Sequence, residues 1–174
     1  RRRGVGTIVS PRHVHRPMEL TSLMRDLVNA GHKVHTTIQH YEARPATAQE
    51  ADTLKITEGT LVVHIERTRF ADNEPIAVLT NLIPADIAPT MQELESASLY
   101  DLMRERGVTL ASARQVIGAR SATTKEAKLL SEHRGAALLT SQRTTYDPSG
   151  RIVECGNHIY RASRYSFEAS LFAQ

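Results

Sequence analysis

The stretch Gly59–Ile83, GTLVVHIERTRFADNEPIAVLTNLI, predicts a β-hairpin around which the rest of the chain is arranged. Its first half is apolar and partly β-branched, which is typical of a buried strand. The segment Asp72–Pro75 supplies the turn, because Asp and Asn tolerate tight backbone angles. Residues 76–83 then form the return strand.

Two arginines, Arg67 and Arg69, end the apolar run of the first strand. Residues two apart on a strand share a face, so both arginines continue the row of Leu61, Val63 and Ile65. Two like charges at the edge of a core cost free energy unless an anion or an acidic side chain compensates them. One interpretation is a pocket for a phosphate or carboxylate, which Arg binds through a bidentate fork. The other is a surface pair matched by an acidic side chain; the candidates are Glu66, Glu74 and Glu154.

Length and composition indicate one soluble globular domain. The chain has 174 residues, 40% hydrophobic and 24% charged, with a net charge of +3 that lies largely in Arg1–Arg3. No apolar run approaches the roughly 20 residues of a membrane span, and this charge is not the basic stripe of a dedicated nucleic-acid binder. A single cysteine, Cys155, excludes an internal disulfide and a thiolate metal site, which favours a reducing cytoplasm.

The remaining elements follow from periodicity and capping signals. We predict a helix over residues 19–30 that ends at Gly31, then a polar strand over residues 33–44. The histidines of that region, His32, His35 and His40, lack a third metal ligand at suitable spacing, so no metal or cofactor is predicted. Capped helices are predicted after Thr47, Ser98 and Thr123, a second hairpin over residues 136–161, and a final strand in the tail.

An internal repeat relates the two halves of the chain. A shift of 76 residues aligns ten identities within the thirty positions 41–70. The pairs are Ala43/Ala119, Arg44/Arg120, Ala46/Ala122, Thr47/Thr123, Glu50/Glu126, Ala51/Ala127, Leu54/Leu130, Gly59/Gly135, Arg67/Arg143 and Thr68/Thr144. Each copy reads as strand, capped helix, glycine turn and hairpin. Two copies predict an α+β fold, in which one antiparallel sheet carries helices on one face and a ligand cleft between the copies.

Several stretches, in order, resemble a known family. RTRFADNEPIAV, SLYDLMRERGV, ARSATTKEAKLL, RTTYDPSGRIVE and YRASRYSFEASL are similar to the effector-binding (UTRA) domain of GntR-type, HutC-subfamily bacterial regulators. The opening RRRGVGTIV resembles the end of the winged helix-turn-helix that precedes this domain. The resemblance implies that residues 1–9 are a remnant of that wing and linker, and residues 10–174 the effector-binding domain. It also implies a chorismate-lyase-like fold.

The resemblance also implies a site and its partners. Family members bind small, mostly anionic metabolites such as phosphorylated sugars or organic acids, and bind operator DNA as homodimers through the N-terminal winged helix-turn-helix, which is missing from this chain. Arg67 and Arg69 would hold the anion with Ser98, Thr36 and Thr37, while Glu154 and Tyr160 would contact a sugar. Amino-sugar-phosphate sensors carry a glutamate where this chain has Leu79, which argues against that effector.

Three functions are compared. A ligand-sensing domain of a repressor accounts for the wing remnant, whereas an enzyme has no need of a wing. A chorismate-lyase-like enzyme acting on a small carboxylate is the alternative, with Glu154 as its one inward-facing acid. A DNA-binding module in its own right has only Arg1–Arg3 in its favour. We therefore expect a sensor and not an enzyme, in which the helix over residues 19–30 and the loop over residues 31–37 carry the signal.

Two further expectations concern assembly and DNA binding. We expect a homodimer, because Ile152, Ile159 and Phe167 lie on alternate strand faces that do not all fit one core. The chain alone is expected to bind DNA weakly and without sequence preference, since it lacks a groove-reading helix.

Overall fold

The computed structural model describes residues 14–17 and 20–171, so the predicted wing remnant over residues 1–9 lies outside the described residues. Eight strands and five helices are formed within these ranges. The strands are β1 (Val14–Pro17), β2 (Val34–Pro45), β3 (Leu61–Ala71), β4 (Glu74–Pro84), β5 (Ser112–Ser121), β6 (Ala137–Tyr146), β7 (Ile152–Arg161) and β8 (Tyr165–Glu168). The helices are α1 (Leu23–Asn29), α2 (Ala48–Leu54), α3 (Met91–Ser96), α4 (Leu99–Glu105) and α5 (Thr124–Leu129).

Six of these strands form one antiparallel sheet in the order β2-β3-β4-β7-β6-β5. This arrangement confirms the predicted α+β fold. The two inner strands, β4 and β7, come from different copies of the repeat, so the boundary between the copies runs along the middle of the sheet. β1 and β8 pair separately in parallel, a pairing that the sequence did not predict. In the described part of the chain, no helix is both long and apolar enough to cross a membrane.

The repeat is preserved in side-chain detail. Thr47 and Glu50 form a capping box on α2, and Thr123 and Glu126 form the same box on α5. Each glutamate also accepts hydrogen bonds from both terminal nitrogens of an arginine on the preceding strand. Glu50 accepts them from Arg44 at 2.7 Å, and Glu126 accepts them from the equivalent Arg120 at 2.7 and 2.6 Å. Identical residues thus make identical contacts 76 positions apart.

The central hairpin forms as predicted. Asp72 and Asn73 make the turn with φ of 52° and 67°, the left-handed conformation in which Asp and Asn are most tolerated among non-glycine residues. Val63 and Ile65 are buried on the same face of β3 as the two arginines, but Leu61 at the strand's start is 58% exposed. The predicted core row therefore begins one alternation later, at Val63.

Helices cover both faces of the sheet, which corrects the expectation of a single covered face. Residues of α3 and α4, such as Leu94 and Met103, pack on Val63 and Ile65. α2 packs on the opposite face, where Val62 lies, and α5 packs on that same face against Val78. The helices inside the repeat therefore cover one face, and α3 and α4, which lie between the copies, cover the other.

Two local differences have simple causes. α3 is a helix that was not predicted, although Thr90 and Glu93 form a capping box like the other two. In β2 a register shift between Ile38 and His40 moves His40 off the face of Thr36 and Ile38, so Tyr41 packs on the core in its place. The capping signal of α3 is thus present in the sequence, whereas a bulge carries too little periodicity to be predicted from it.

The apolar residues that motivated the homodimer are used within the chain. Ile152 is buried in the cluster beneath α2. Ile159 packs beneath α5, and Phe167 packs against Tyr160 and Tyr165. All three therefore fit the domain's own cores, and they give no support to an interface between copies.

Candidate functional site

A covered cavity lies over the middle of the sheet, on the face of Arg67 and Arg69. Its floor follows the strand register. Leu79 is paired with Arg67 on one side and with His158 on the other, and Gly156 is paired with Asn81 on one side and with Arg143 on the other. The start of α1, at Ser22–Met24, and the start of α4, at Leu99 and Tyr100, line it from above. Both copies of the repeat thus contribute side chains to one cavity.

Arg67 and Arg69 are buried to a degree that is rare for arginine, at 3% and 2% exposure. Arg67 donates from Nη2 to Asn81 Oδ1 at 2.8 Å, and Arg69 donates from Nη1 to Thr36 Oγ1. Nε and Nη1 of Arg67 and Nε of Arg69 have no hydrogen-bond partner among the described residues. These are charged donors without an acceptor, which is a costly arrangement in a closed protein.

The electrostatic environment of these two arginines agrees with this geometry. Burial, opposed by the charge of Glu154, lowers the pKa of Arg67 to about 10. Burial, together with the neighbouring charge of Arg67, lowers the pKa of Arg69 to about 9. The fold therefore disfavours both positive charges, and an anion in the cavity would favour them.

Arg161 shows how the same chain satisfies a buried guanidinium elsewhere. It is 7% exposed, and it donates to Glu132 at 3.0 Å, to Glu74 at 3.2 Å and to the Pro75 carbonyl at 3.0 Å. Two carboxylates and a carbonyl surround that arginine. Arg67 and Arg69, by contrast, each donate to one neutral acceptor among the described residues, so their surroundings are not those of a structural ion pair.

Glu154 is held by neutral donors beneath the cavity. It is fully buried and accepts from Asn81 Nδ2 at 2.6 Å, from Thr145 Oγ1 at 2.8 Å and from Tyr100 OH at 3.2 Å. Asn81 therefore joins Arg67 to Glu154 through its two side-chain atoms. Burial, followed by the charge of Glu154, raises the pKa of Tyr100, which stays a neutral donor.

The site predicted from the sequence is brought together in part. Thr36 contacts Arg69, and Tyr160 lines the cavity. Thr37 does not join them: it pairs with Thr68 on the other face of the sheet, and its side chain is exposed.

Two other predicted residues lie next to the cavity rather than in its lining. Ser98 is buried as the N-cap of α4, beside the lining residues Leu99 and Tyr100. Glu154 also lies outside the lining. We therefore revise its expected role from contacting a ligand to positioning Asn81 and Tyr100.

The lining residues that were missed as site residues include the polar side chains of Asn81, Tyr100, Arg143 and His158. Arg143 had a signal in the sequence, since it is the repeat equivalent of Arg67. His158 also had one, because it shares its strand face with Glu154 and Tyr160. Asn81 and Tyr100 reach the site through strand register and helix packing, which a single sequence does not specify.

The cavity is tight. The space that it leaves for a bound molecule is about 30 Å³, enough for about two water molecules. A metabolite therefore requires the covering residues to move. A larger cavity of about 280 Å³ lies beneath α5 on the other face, but its charged side chains pair with one another, Lys125 with Glu66 and Arg120 with Glu126.

The residues described by the structure contain no cluster of three potential metal ligands. The histidines considered above are separated. His32 contacts Asp72 at 2.6 Å, His35 stacks on Phe70, and His40 approaches His64 with ring centroids 5.2 Å apart.

Comparisons with known proteins all indicate the same family. The family model described as UTRA domain matches residues 29–166. The HTH-type transcriptional repressor NagR of Bacillus subtilis is 30% identical over 170 residues, which cover 96% of this chain and 70% of that protein. The chain spans 55% of the length of another relative, the regulator PhnF of Escherichia coli, at 33% identity over 75% of the chain.

Solved structures with a similar fold indicate the same family. The effector domain of PhnF from Mycobacterium smegmatis superposes with a TM-score of 0.84 over 92% of this chain and all of that one, at 23% identity, a likeness of fold. A transcriptional regulator from Streptomyces coelicolor is 48% identical, with a TM-score of 0.73 over 82% of this chain and 96% of that one. These relatives are regulators and not enzymes, as expected for this chain.

Proposed function

The chain belongs to the UTRA domain family of GntR-type transcriptional regulators, and from this membership and the cavity we propose that it senses a small anionic metabolite for a DNA-binding repressor. The effector is a phosphorylated sugar or an organic acid. Its binding alters the affinity of the full-length protein for operator DNA, which a winged helix-turn-helix N-terminal to this domain contacts.

One observation carries the choice of an anion. Three guanidiniums, those of Arg67, Arg69 and Arg143, line the cavity, and Glu154 is the one buried carboxylate among the described residues. The side chains of the site therefore leave an excess of two positive charges away from water. An effector with negative charge supplies the missing acceptors and removes the repulsion between Arg67 and Arg69.

The cover of the cavity links binding to the rest of the protein. α1 begins at the cavity and packs through Leu23 and Leu27 on a cluster that includes Val14 of β1 and Tyr160 of the floor. An effector that enters displaces part of this cover, and displacement of Ser22–Met24 shifts α1 against β1. Such a shift can change how upstream DNA-binding modules are placed, provided the effector binds one arrangement better than the other.

We further propose that this domain is a homodimer in solution, as part of a regulator that is itself dimeric. Regulators that read two half-sites match the symmetry of the operator with their own. The experiment is sedimentation of the domain at micromolar concentration, and a mass near the 19.3 kDa of one chain would contradict a stable dimer.

Effector binding can be tested by thermal shift with phosphorylated sugars and small organic acids, because a ligand that binds the folded state alone raises its melting temperature. Binders are then titrated against Arg67→Ala and the double variant Arg67→Ala/Arg69→Ala. We expect the single substitution to cost about 2–4 kcal/mol of binding free energy, as for a charge-assisted pair away from water.

Arg151→Ala is the matched control. Arg151 pairs with Asp86 at 2.7 Å on the surface, where its side chain is 41% exposed, so its loss should leave binding unchanged. Unaltered affinity in the double arginine variant would show that the effector binds elsewhere.

A further inference from the structure

We propose that the edge strand β5 pairs with β5 of a second copy of this chain, so that two six-stranded sheets join into one antiparallel sheet. The pair is centred on Val116, which lies opposite Val116 of the second copy on the twofold axis. This inference rests on the proposed homodimer and assigns the surface that holds it together.

β5 is an open edge of the sheet. It comes last in the strand order, so β6 pairs with one side of it and no described strand lies on the other. All ten of its residues are exposed or half-buried, and its pairing with β6 runs from Ser112 to Ser121 without a register shift. An unbroken edge of this length offers its free backbone groups to another strand.

The other edge strand, β2, carries features that block such pairing and that β5 lacks. β2 has a bulge after Ile38 and ends at Pro45, and Tyr41 ties it to the loop before α3 by donating to the Pro89 carbonyl at 2.9 Å. β5 has no bulge, proline or lysine, and Val116 at its centre is 53% exposed. Because proteins protect the edges that stay in solvent, this contrast indicates that β5 is covered in the assembled protein.

The geometry of an antiparallel pair limits how β5 can meet its own copy. Opposite residues share a face of the sheet, so the twofold axis between two identical strands passes through a residue. In a first register the axis passes through Val116 and pairs residues 112–120, and in a second it passes through Ile117 and pairs residues 113–121. Every other axis leaves more of the edge unpaired.

Charge and exposure favour the first register. In the second, Arg114 lies directly opposite Arg120 of the other copy, and like charges in that position destabilise a strand pair. In the first, Arg114 lies opposite Gly118, and the diagonal Arg120 is already paired with Glu126 at 2.7 and 2.6 Å. The first register also packs the exposed side chain of Val116 on its own symmetry mate.

The domain already uses this kind of junction internally. β4 and β7 are the equivalent return strands of the two repeats, and they pair antiparallel at the middle of the sheet. Two copies of one unit are thus joined strand to strand within the chain. Pairing of β5 with its own copy repeats that junction between chains.

The joined sheet also suits a regulator that reads two half-sites. A twofold axis perpendicular to the sheet keeps the cavity face, on which α1 and β1 pack, on the same side in both copies. Strands are about 4.8 Å apart, so the two β7 strands are separated by about 24 Å and the two β4 strands by about 34 Å. Half-sites one turn of DNA apart are separated by about 34–36 Å. Both upstream DNA-binding modules therefore start from one side at a comparable spacing.

Disulfide crosslinking of the purified domain tests the interface and its register. Opposite Cα atoms of antiparallel strands are about 4.5–5.5 Å apart, which a disulfide can span. Oxidised Val116→Cys should therefore run as a crosslinked dimer, of about twice the 19.3 kDa of one chain. Arg114→Cys is the matched control on the same face of β5, because its symmetry mate is offset by four residues, about 14 Å. The native Cys155 is buried and common to both variants.

Val116→Asp tests the same contact without oxidation. It places two carboxylates opposite each other on the axis, so the dissociation constant of the dimer should rise about tenfold or more in sedimentation. Leu61→Asp is the control, since Leu61 is 58% exposed outside β5 and its loss should leave the dimer unchanged. Both side chains are exposed, so neither substitution disturbs a core.

Three outcomes would overturn the proposal. A dimer that persists in Val116→Asp and does not crosslink through residue 116 would show that the interface lies elsewhere, with the homodimer still standing. Crosslinking through Ile117→Cys in place of Val116→Cys would overturn the register. A wild-type domain that sediments as a monomer at micromolar concentration would overturn the interface and the homodimer together, while effector binding, measured by thermal shift, would stand or fall separately.

Discussion

Tyr160 stacks on Tyr165 with ring centroids 4.3 Å apart and an interplanar angle of 16°. Tyr160 lines the cavity, and Tyr165 is paired with Val14 at the start of β1. One aromatic contact therefore separates the cavity from β1. We propose this contact as a second route, besides α1, by which effector binding reaches the DNA-binding module proposed upstream.

Tyr165→Leu should weaken the coupling of effector and operator in the full-length protein. An aromatic pair contributes about 0.5–1.5 kcal/mol, so the effect of the effector on operator affinity should fall by roughly 2- to 12-fold. Effector affinity itself should change little. Fluorescence anisotropy with operator DNA, with and without effector, measures this.

Phe70→Leu is the matched control, because Phe70 stacks on His35 at 4.4 Å on the other face of the sheet. Coupling that falls equally in both variants would show that Tyr165 has no special role.

Arg69→Met should stabilise the effector-free domain while abolishing anion binding. The change removes a buried charge that repels Arg67 and keeps most of the side-chain volume, so the free energy of unfolding should rise by about 1 kcal/mol. Denaturant titration of the domain measures this. Arg161→Met is the contrast, because it removes the ion pairs of Arg161 with the partly buried Glu132 and the half-exposed Glu74 and should cost about 3 kcal/mol. A loss of stability in Arg69→Met similar to that in Arg161→Met would mean that Arg69 is structural.

Gly156→Ala should disrupt the floor of the site. A Cβ at this position would lie 2.5 Å from Glu154 Oε1 and 2.6 Å from His158 Nε2, so both side chains must move. Overpacking of this kind costs about 1–3 kcal/mol of stability, and effector affinity should fall because Asn81 loses the position that Glu154 gives it. Gly118→Ala, which meets one atom at 3.0 Å on the edge strand β5, is the milder control. Thermal melts and calorimetry on both variants check this, and equal effects would contradict it.

The two capping boxes predict an acid dependence of stability. Hydrogen bonds from Arg44 and from Arg120, together with those from the capping threonines, lower the pKa of Glu50 and of Glu126 to about 2. A carboxylate with a lowered pKa stabilises the fold fully above its ordinary value of 4.5, and this stabilisation is lost as the pH falls toward 2.

The double variant Glu50→Gln/Glu126→Gln should therefore be less stable at neutral pH, by roughly 1 kcal/mol for each site. It should also lose less stability than the wild type on acidification, whereas Glu95→Gln, at an exposed position of α3, should follow the wild type. Urea titrations at several pH values are the measurement. Parallel curves for the double variant and the wild type would contradict the assignment.

The repeat and the helix caps were enough to predict the fold from the sequence. Of the residues that line the cavity, the sequence analysis predicted Arg67, Arg69 and Tyr160. Local signals act over a few residues and could be recognised in the sequence. Thr47 with Glu50 predicted a helix cap, and Asp72 with Asn73 predicted a turn. Arg67 and Arg143 line the same cavity because of the order of the strands in the sheet, in which β3 and β6 are separated by β4 and β7. No local sequence pattern encodes that order. Thr37 was misplaced because adjacent residues of a strand face opposite ways, and a resemblance that named both Thr36 and Thr37 did not choose between them.

The last prediction concerns the movement of α1. Gly31 ends the helix with φ of +87°, a conformation that glycine adopts without strain, and Thr36 lies beyond it in contact with Arg69. An effector held by the arginines should order residues 31–37 and displace Ser22–Met24, which line the cavity. Amide hydrogen exchange should therefore slow over residues 31–37 and change over residues 20–30 when the effector binds.

The edge strand β5 serves as the internal reference, since exchange there should stay constant. In the full-length protein the resulting change in operator affinity should be roughly 5- to 150-fold, and operator DNA should change effector affinity by the same factor. If exchange changes over β3 at residues 67–69 but not over residues 20–37, the effector is held as proposed but α1 does not carry the signal. The contact of Tyr160 with Tyr165 would then be the route that remains, and the Tyr165→Leu variant would decide it.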